Sequence, residues 1–491
     1  MMDKNAKSHR DMLKRIARRV MINRGLFPDF SPEALNELDR INAPATRTEE
    51  PTRDLRNLPW CSIDNDDSLD LDQLTVAEAV SKNSVKIMVA VADVDAIVKK
   101  GSAIDDHAQH NTTSVYTAAQ TFPMLPEKLS TNYTSLNDGT DRLAIVIEMV
   151  IADDGSLQTS EIYGAMVHNK AKLAYNSVAA WLEGQGPMPK GIDVVEGLVE
   201  KLRIQDQVAQ RMKAFRYMHG ALNLEIIEAR PVFQADELKD LEVERKNRAT
   251  DIIEDFMIAA NGVTARYLAS KMFPSLRRVV HTPKRWDRIM ELASELGFTL
   301  PPKPDSRALE QFLGKAKTAD PLRFPDLSLS IVKLLGSGEY MVEFPGDSSE
   351  GHFGLAVKDY THSTAPNRRY PDLVTQRLLK AALAEHHVPY GKDEMKALAR
   401  HCTEEEDEVK KIERQVGKSA AAMLLEPKIG ERFDAIVTGA APKGTWVRLL
   451  HTPVEGKLVH GFEGMDVGRR IHVQLIHTDV ERGFIDFKRV V

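Results

Sequence analysis

Between Ser62 and Gln73 the chain reads Ser-Ile-Asp-Asn-Asp-Asp-Ser-Leu-Asp-Leu-Asp-Gln, placing five carboxylates (Asp64, Asp66, Asp67, Asp70, Asp72) within nine positions. Such density repels itself unless cations neutralise it; the plain alternative is a solvated acidic loop. Leu69 and Leu71 alternate with Asp70 and Asp72. This predicts both carboxylates on one side of an extended segment and both leucines turned to a core, with the loop bringing Asp64 round to the carboxylate side. Hard oxygen donors converging in this way suit Mg²⁺ or Mn²⁺ rather than zinc or copper. A calcium-binding EF-hand is excluded, because Leu69 stands where that loop needs glycine and Thr75 where it needs a bidentate glutamate. Two ions held side by side perform phosphodiester hydrolysis, one generating hydroxide for in-line attack and the other stabilising the leaving oxygen. The transition state also needs a cation on its non-bridging oxygens. Arg368-Arg369-Tyr370-Pro371-Asp372 supplies one at the start of a helix that Pro371 opens.

These side chains need a scaffold to bring them together. From Trp60 to about Val167, short apolar runs (VKIMVAVADV, RLAIVIEMVI) separated by polar turns predict strands of a mixed sheet. From Lys170 to about Leu425 helical periodicity dominates, over 249–271, 286–296, 373–385 and 404–424, in a middle block that reads as α+β. Upstream, residues 9–24 have helical spacing, and Ser31-Pro32 gives an N-cap and a first-turn proline for a second helix to about Ile41. Residues 43–56 read as a linker or extended arm. Downstream, RFDAIVTG, GTWVRLL, RIHVQLIHT and RGFIDFKRV outline a small five-stranded barrel. The expected organisation is an α+β protein with a helical module over 1–50, a central domain over 51–425 and an all-β domain over 426–491.

Composition narrows the function further. The 491-residue chain has a formal net charge of -6, which by itself argues against a partner held only through phosphates. Basic residues nevertheless cluster at Lys14, Arg15, Arg18, Arg19 and Arg24, at Arg368 and Arg369, and at Lys443, Arg448, Arg469, Arg470, Lys488 and Arg489. Each cluster is equally well read as a solvated face. Cys61 and Cys402 are too few and too far apart for a disulfide framework or a cysteine zinc site. No apolar run approaches a membrane span and the start lacks a secretion signal, so a cytoplasmic monomer is expected. Phosphate-binding Walker loops, His-Glu-x-x-His and nucleophile elbows are absent from the sequence.

The acidic stretch resembles the Asp-x5-Asp-x-Asp-Asp signature of the ribonuclease II (RNB) family, and Pro366-Asn367-Arg368-Arg369-Tyr370 resembles its Pro-Ile-Arg-(Arg/Lys)-Tyr signature. Further segments match in order: VADVDAIVKKGSAID, TSVYTAAQTFPMLPEKLS, SLNDGTDRLA, KAKLAYNSVAAWLEG, IIEDFMIAANG and HFGLAVKDY, covering about residues 57–425. The resemblance implies an RNB catalytic domain, in which a mixed sheet and surrounding helices enclose an RNA channel, followed by an S1-type OB barrel. It implies processive 3′-to-5′ hydrolysis of single-stranded RNA to nucleoside 5′-monophosphates with two Mg²⁺ ions, or Mn²⁺ in their place. By resemblance, Asp64, Asp70, Asp72 and Gln73 fall at the metal positions, Asp72 at the one treated as indispensable, and Arg368 at the scissile phosphate. Tyr116 is similar to an aromatic that stacks at one end of the RNA, Tyr175 to a tyrosine beside the 3′-terminal nucleotide, and Glu413-Arg414 to a Glu-Arg pair lining the channel. Arg369 joins the RNA-binding set, as does Leu224, which stands where an aromatic often faces the 3′ nucleotides. In the barrel, Trp446 offers a stacking face, or equally packs as part of the barrel, and Lys443 and Arg448 offer phosphate contacts.

Three departures from the pattern matter. Gln73 occupies the fourth acidic position without a charge, which keeps a catalytically weakened RNA-binding regulator as the alternative reading. Leu224 replaces stacking by apolar contact. The N-terminal cold-shock barrels of typical members are expected to be replaced by the basic helical module, in a helix-turn-helix-like role. A nuclease for single-stranded DNA is a second rival, to be separated by the 2′-hydroxyl requirement.

Overall fold

A computed structural model describes residues 8–47, 51–347, 350–441 and 444–490. Ser8 and Ser31 cap α1 (His9–Asn23) and α2 (Pro32–Arg40), each side chain accepting a backbone N–H of the first turn. Next come β1 (Arg53–Asp54), β2 (Cys61–Asp64), β3 (Gln73–Ser81), β4 (Ser84–Ala92), α3 (Ala103–Asn111) and a short ladder of β5 (Val115–Tyr116) and β6 (Thr121–Phe122). β7 (Asp141–Ala152), β8 (Leu157–His168) and β9 (Ala171–Ala174) complete a seven-stranded sheet in the order β1-β8-β7-β4-β3-β2-β9. Its centre is antiparallel, while β1 runs parallel to β8 and β9 parallel to β2. β4 and β7 lie mid-sheet with both faces covered, which is why their sequences are near-continuous apolar runs and not alternating ones.

Helices α4 (Tyr175–Leu182) and α5 (Leu198–Met218) precede a hairpin of β10 (Glu228–Gln234) and β11 (Glu237–Glu244), followed by α6 (Arg248–Ser270). Phe256, Ala260, Val263 and Leu268 of α6 join the sheet's core. β12 (Ser275–Val279) pairs antiparallel with β13 (Glu339–Glu343). Between them α7 (Trp286–Glu295), α8 (Ser306–Ala319) and α9 (Phe324–Leu335) pack around a core of their own that includes Trp286, Ile289, Phe312 and Phe324. α10 (Tyr370–Leu383) is pinned by Arg377, whose buried guanidinium meets Asp95, Asp105 and the Tyr390 hydroxyl. α11 (Lys392–Leu425) leads into a closed barrel of β14 (Arg432–Ala441), β15 (Gly444–Leu449), β16 (Glu455–His460), β17 (Arg470–Asp479) and β18 (Phe484–Val490), in the order β14-β15-β16-β18-β17. That is the strand order of an OB-type barrel.

The α+β class, the mixed sheet and the terminal barrel agree with the sequence reading. The middle block, read as α+β with helical patterns dominant, holds the β10–β11 and β12–β13 pairs, whose few apolar residues are interleaved with charges and give no clear period. One other expectation changes. The two N-terminal helices share no core. α1 buries Leu13, Ile16 and Val20 with Leu238 and α11 residues, whereas α2 sends Ala34 into the core of the sheet. They are joined by residues 24–31, where a helix-turn-helix needs a turn of roughly three or four residues, so that likeness fails. The basic face of α1 is also engaged internally: Arg15 and Arg19 pair with Glu481, Arg18 with Asp29 and Arg24 with Glu408.

Candidate active site

Asp64 closes β2 and Gln73 opens β3, with residues 65–72 forming an irregular loop between them. Asp64 lies opposite Ala174 in the parallel β2–β9 pair, so Tyr175, the first residue of α4, belongs to the same end of the sheet. The loop departs from the expected alternation. Leu69 is 60% exposed, while Leu71 and Asp72 are each 2% exposed. The cause is a set of bonds to residues 135–136 that replaces a strand ladder: Leu71 N–H donates to Ser135 Oγ at 2.9 Å, Ser135 Oγ donates to Leu69 O at 2.9 Å, and Leu136 N–H donates to Leu71 O at 2.9 Å. Asp66 and Asp67 face solvent, and Asp67 pairs with Arg230 of β10.

Asp72 meets the arginine segment directly. Asn367 N–H donates to its Oδ1 at 2.9 Å and Arg368 Nε to its Oδ2 at 3.0 Å. The Arg368 carbonyl in turn accepts from the Ser114 N–H at 3.0 Å and the Thr113 hydroxyl at 2.9 Å. Two residues further on, the Tyr116 hydroxyl donates to Asp70 Oδ2 at 3.3 Å, and the Tyr116 N–H donates to Glu413 of α11 at 2.9 Å. Segments far apart in sequence thus converge on Asp70 and Asp72.

Burial raises the Asp72 carboxyl to about 7; Arg368 and the Asn367 N–H pull against this, while Asp70 and Asp372 add to it. Asp70 is also raised, first by burial and further by Asp64, against its own backbone N–H, Arg368 and Tyr116. Burial opposes the charge on Arg368, yet Asp72, Tyr116, Asp372 and Asp70 hold it above its ordinary value. Desolvation, aided by Asp70 and Asp72, lifts the Tyr116 phenol above its usual range, so it stays a neutral donor. The centre therefore carries more negative charge than Arg368 offsets, on oxygen donors alone, which fits a hard divalent cation in kind. The expected convergence of Asp64, Asp70, Asp72 and Gln73 is not drawn in around one point. Among the described residues no group of three His, Cys, Asp or Glu side chains stands at ion-holding distance, and Asp72 is turned to Arg368 and Asn367.

The remaining sequence-predicted residues divide. Arg369, the N-cap of α10, forms an ion pair at 2.7 Å with the fully buried Asp372, a contact within the helix start. Leu224 packs partly against the α7–α9 core, with its neighbours' N–H groups donating to Glu310 and Ser328. Glu413 anchors Tyr116, and Arg414 is exposed on α11. Arg448 is no free phosphate contact: its guanidinium makes bonds of 2.9 and 3.0 Å to Asp326 of α9, tying the barrel to the helical subdomain. Trp446 points outward from β15, where Val447 and Leu449 fill the barrel, and its ring lies over Gly439 and Gly444. Lys443 lies outside the described residues. No spacing in the sequence gives a role to Asn367, Ser135, Thr113 or Ser114; the polar residues Thr134, Ser135 and Asn137 beside apolar strands are the available signal.

Fold and site together define a class of α+β proteins in which a carboxylate–arginine centre at the edge of a mixed sheet is followed by an OB-type barrel. Residues 52–385 match the RNB domain and residues 431–490 the RNase II-type exonuclease C-terminal S1 domain, and the chain belongs to the RNB family. It is similar to the ribonuclease R of Vibrio parahaemolyticus, 31% identical over 83% of this chain and 50% of that protein. It is likewise similar to the ribonuclease R of Aquifex aeolicus, 28% identical over 97% of this chain and 70% of that one. The chain thus spans from about half to about 70% of these relatives' length. The fold is that of the apo form of Mycoplasma genitalium RNase R, with a TM-score of 0.87 at 21% identity, covering 98% of this chain and 78% of that one.

Proposed function

We propose that this protein is a processive 3′-to-5′ exoribonuclease that hydrolyses single-stranded RNA to nucleoside 5′-monophosphates. The observation that carries the reading is the Asp72–Arg368 contact at 3.0 Å beside Asp70 and Tyr116. Its Nε held by Asp72, Arg368 has its remaining guanidinium N–H groups for the non-bridging oxygens of a scissile phosphate, where developing charge is stabilised most strongly. Asp64, Asp70 and Asp72, with the Gln73 amide oxygen, would hold two divalent cations, Mg²⁺ or Mn²⁺, which when bound supply the hydroxide and neutralise the leaving oxygen. Tyr116 and Tyr175 offer ring faces to the terminal nucleotides, an interaction of roughly 1–3 kcal/mol per base that tolerates any sequence. In the same reading residues 1–50, 51–425 and 426–491 are an N-terminal helical module, the catalytic domain and an RNA-binding barrel in which Trp446 stacks. No described helix is long and apolar enough to cross a membrane, and the reading includes a monomer acting in the cytoplasm.

Incubating the purified protein with 3′-labelled oligo(A) and Mg²⁺ tests this. Labelled mononucleotide is expected first. Binding without any release would leave an RNA-binding protein, and equal rates on oligo(dA) would favour a single-stranded DNA nuclease.

A further inference from the structure

The two halves of the centre, the loop bearing Asp70 and Asp72 and the segment bearing Arg368, are 296 positions apart between Asp72 and Arg368. A direct contact between Asp72 and Arg368 does not by itself fix their joint orientation, because substrate and cations compete for the same atoms. Something behind the centre has to hold both backbones. That place is occupied by Thr134 and Ser135, consecutive residues with relative exposures of 4% and 0%.

Ser135 grips the aspartate loop on both sides of Asp70. Its hydroxyl accepts the Leu71 N–H and reaches Leu69 O, and the next residue's N–H donates to Leu71 O. Thr134 grips the other half: its hydroxyl proton is shared between Asn367 Oδ1 at 2.5 Å and Leu129 O at 2.9 Å, and Asn367 is fully buried. The backbone N–H of that same Asn367 donates to Asp72 Oδ1, and Arg368 follows it directly. The Thr134–Ser135 backbone is itself fixed, since Thr134 N–H closes a π-helical turn onto Leu129 O and Leu136 O accepts from buried Asn169, whose amide also reaches Ser62 of β2. The Asn367 amide completes the contact, its Nδ2 donating to the Thr134 carbonyl at 3.5 Å. A buried amide keeps its place only while its hydrogen bond holds it there.

We propose that Thr134 and Ser135 are positioning residues for the hydrolytic step, bracketing the aspartate loop and the Asn367-Arg368 segment so that Asp72 and Arg368 present one rigid arrangement to the scissile phosphate. The inference rests on the exoribonuclease reading. Its physical basis is that a reacting group displaced by about 1 Å costs on the order of 100-fold in rate while ground-state binding along the rest of the chain is retained.

The test compares wild type, Thr134→Val, Thr134→Ser, Asn367→Ala and the Thr134→Val/Asn367→Ala double variant of the full chain. kcat and KM are measured on 3′-labelled oligo(A) with Mg²⁺, alongside thermal unfolding. Asn367→Ala keeps the backbone N–H to Asp72 and removes both side-chain bonds to Thr134, from its hydroxyl to Oδ1 and from Nδ2 to its carbonyl, so it reports on the bracket even where Thr134→Val fails to fold. Expected for each single variant that breaks the bond is a kcat loss of roughly 10- to 100-fold with KM changed by less than about 3-fold. Thr134→Ser, which keeps the hydroxyl, is expected within about 3-fold of wild type, and the double variant close to the worse single one. A wild-type kcat in Asn367→Ala, equal losses in Thr134→Ser and Thr134→Val, or multiplicative losses in the double variant would each overturn the bracket. Those outcomes leave the exoribonuclease reading standing, whereas a wild type that releases nothing takes down both.

Discussion

The centre around Asp72 and the basic faces of α1 and β15 put the same residue types to opposite use. At the centre Arg368 stands against several carboxylates, with Asp70 and Asp72 both raised by burial and by neighbouring charge, so the local balance is negative and unfinished. On α1, at its C-cap and on β15, arginines meet carboxylates from elsewhere in the fold: Arg15 and Arg19 meet Glu481, Arg24 meets Glu408, and Arg448 meets Asp326. Those pairs join α1 to the barrel, α1 to α11, and the barrel to α9. A run of basic residues in a sequence is therefore no footprint of nucleic acid until its partners are known. What marks a reactive centre is charge that the fold leaves uncompensated.

Asp72→Asn is expected to lower mononucleotide release by about 1,000-fold or more while oligo(A) affinity, measured by gel shift without added metal, changes only a few-fold; unchanged turnover would remove Asp72 from the centre. Arg368→Ala is expected to reduce kcat by about 100- to 1,000-fold with KM nearly constant. An effect confined to affinity would put Arg368 with the structural arginines instead.

Arg448→Ala tests the other side of the contrast. It strands Asp326, which is 9% exposed, and is expected to cost about 1–3 kcal/mol of stability in denaturant unfolding. The dependence of RNA affinity on salt should stay as steep as in wild type, because no phosphate contact is lost; a slope shallower by about one would reassign Arg448 to the RNA.

His107 probes docking by packing. It sits against Phe30, and burial with nearby His110 lowers its imidazole to about 4. Because the folded value lies below the unfolded one, its contribution is complete above pH 6.5 and is lost as pH falls toward 4. His107→Phe is therefore expected to match wild type at pH 7 and to gain on it by up to roughly 3 kcal/mol by pH 4, read as a widening gap in unfolding midpoints. A constant gap across that range would show that the imidazole is not held neutral. The smallest effect is expected from Arg15→Gln/Arg19→Gln, since both arginines are about half exposed: less than about 1 kcal/mol, with the salt slope of RNA binding unchanged.

Sequence alone determined the strand-rich first half of the central domain, the caps at Ser31 and Pro32, the closing barrel and the identity of the acidic and arginine segments. Each is a local pattern: apolar runs where both faces of a sheet are covered, a hydroxyl before a helix, carboxylates too dense to be neutral filler. The α1 arginines, Arg448 and Leu69 went the other way, because their fate depended on residues hundreds of positions distant or on a serine outside the loop. The hairpin β10–β11 was hidden for the same reason, its apolar residues being few and completed by α1, α11 and the barrel. Tertiary structure alone decided which aspartate is buried, which arginine lies beside it, and that Thr134 and Ser135 stand behind both. Burial and hydrogen-bond partnership are properties of what the rest of the chain brings alongside a residue, and no spacing within a segment encodes them.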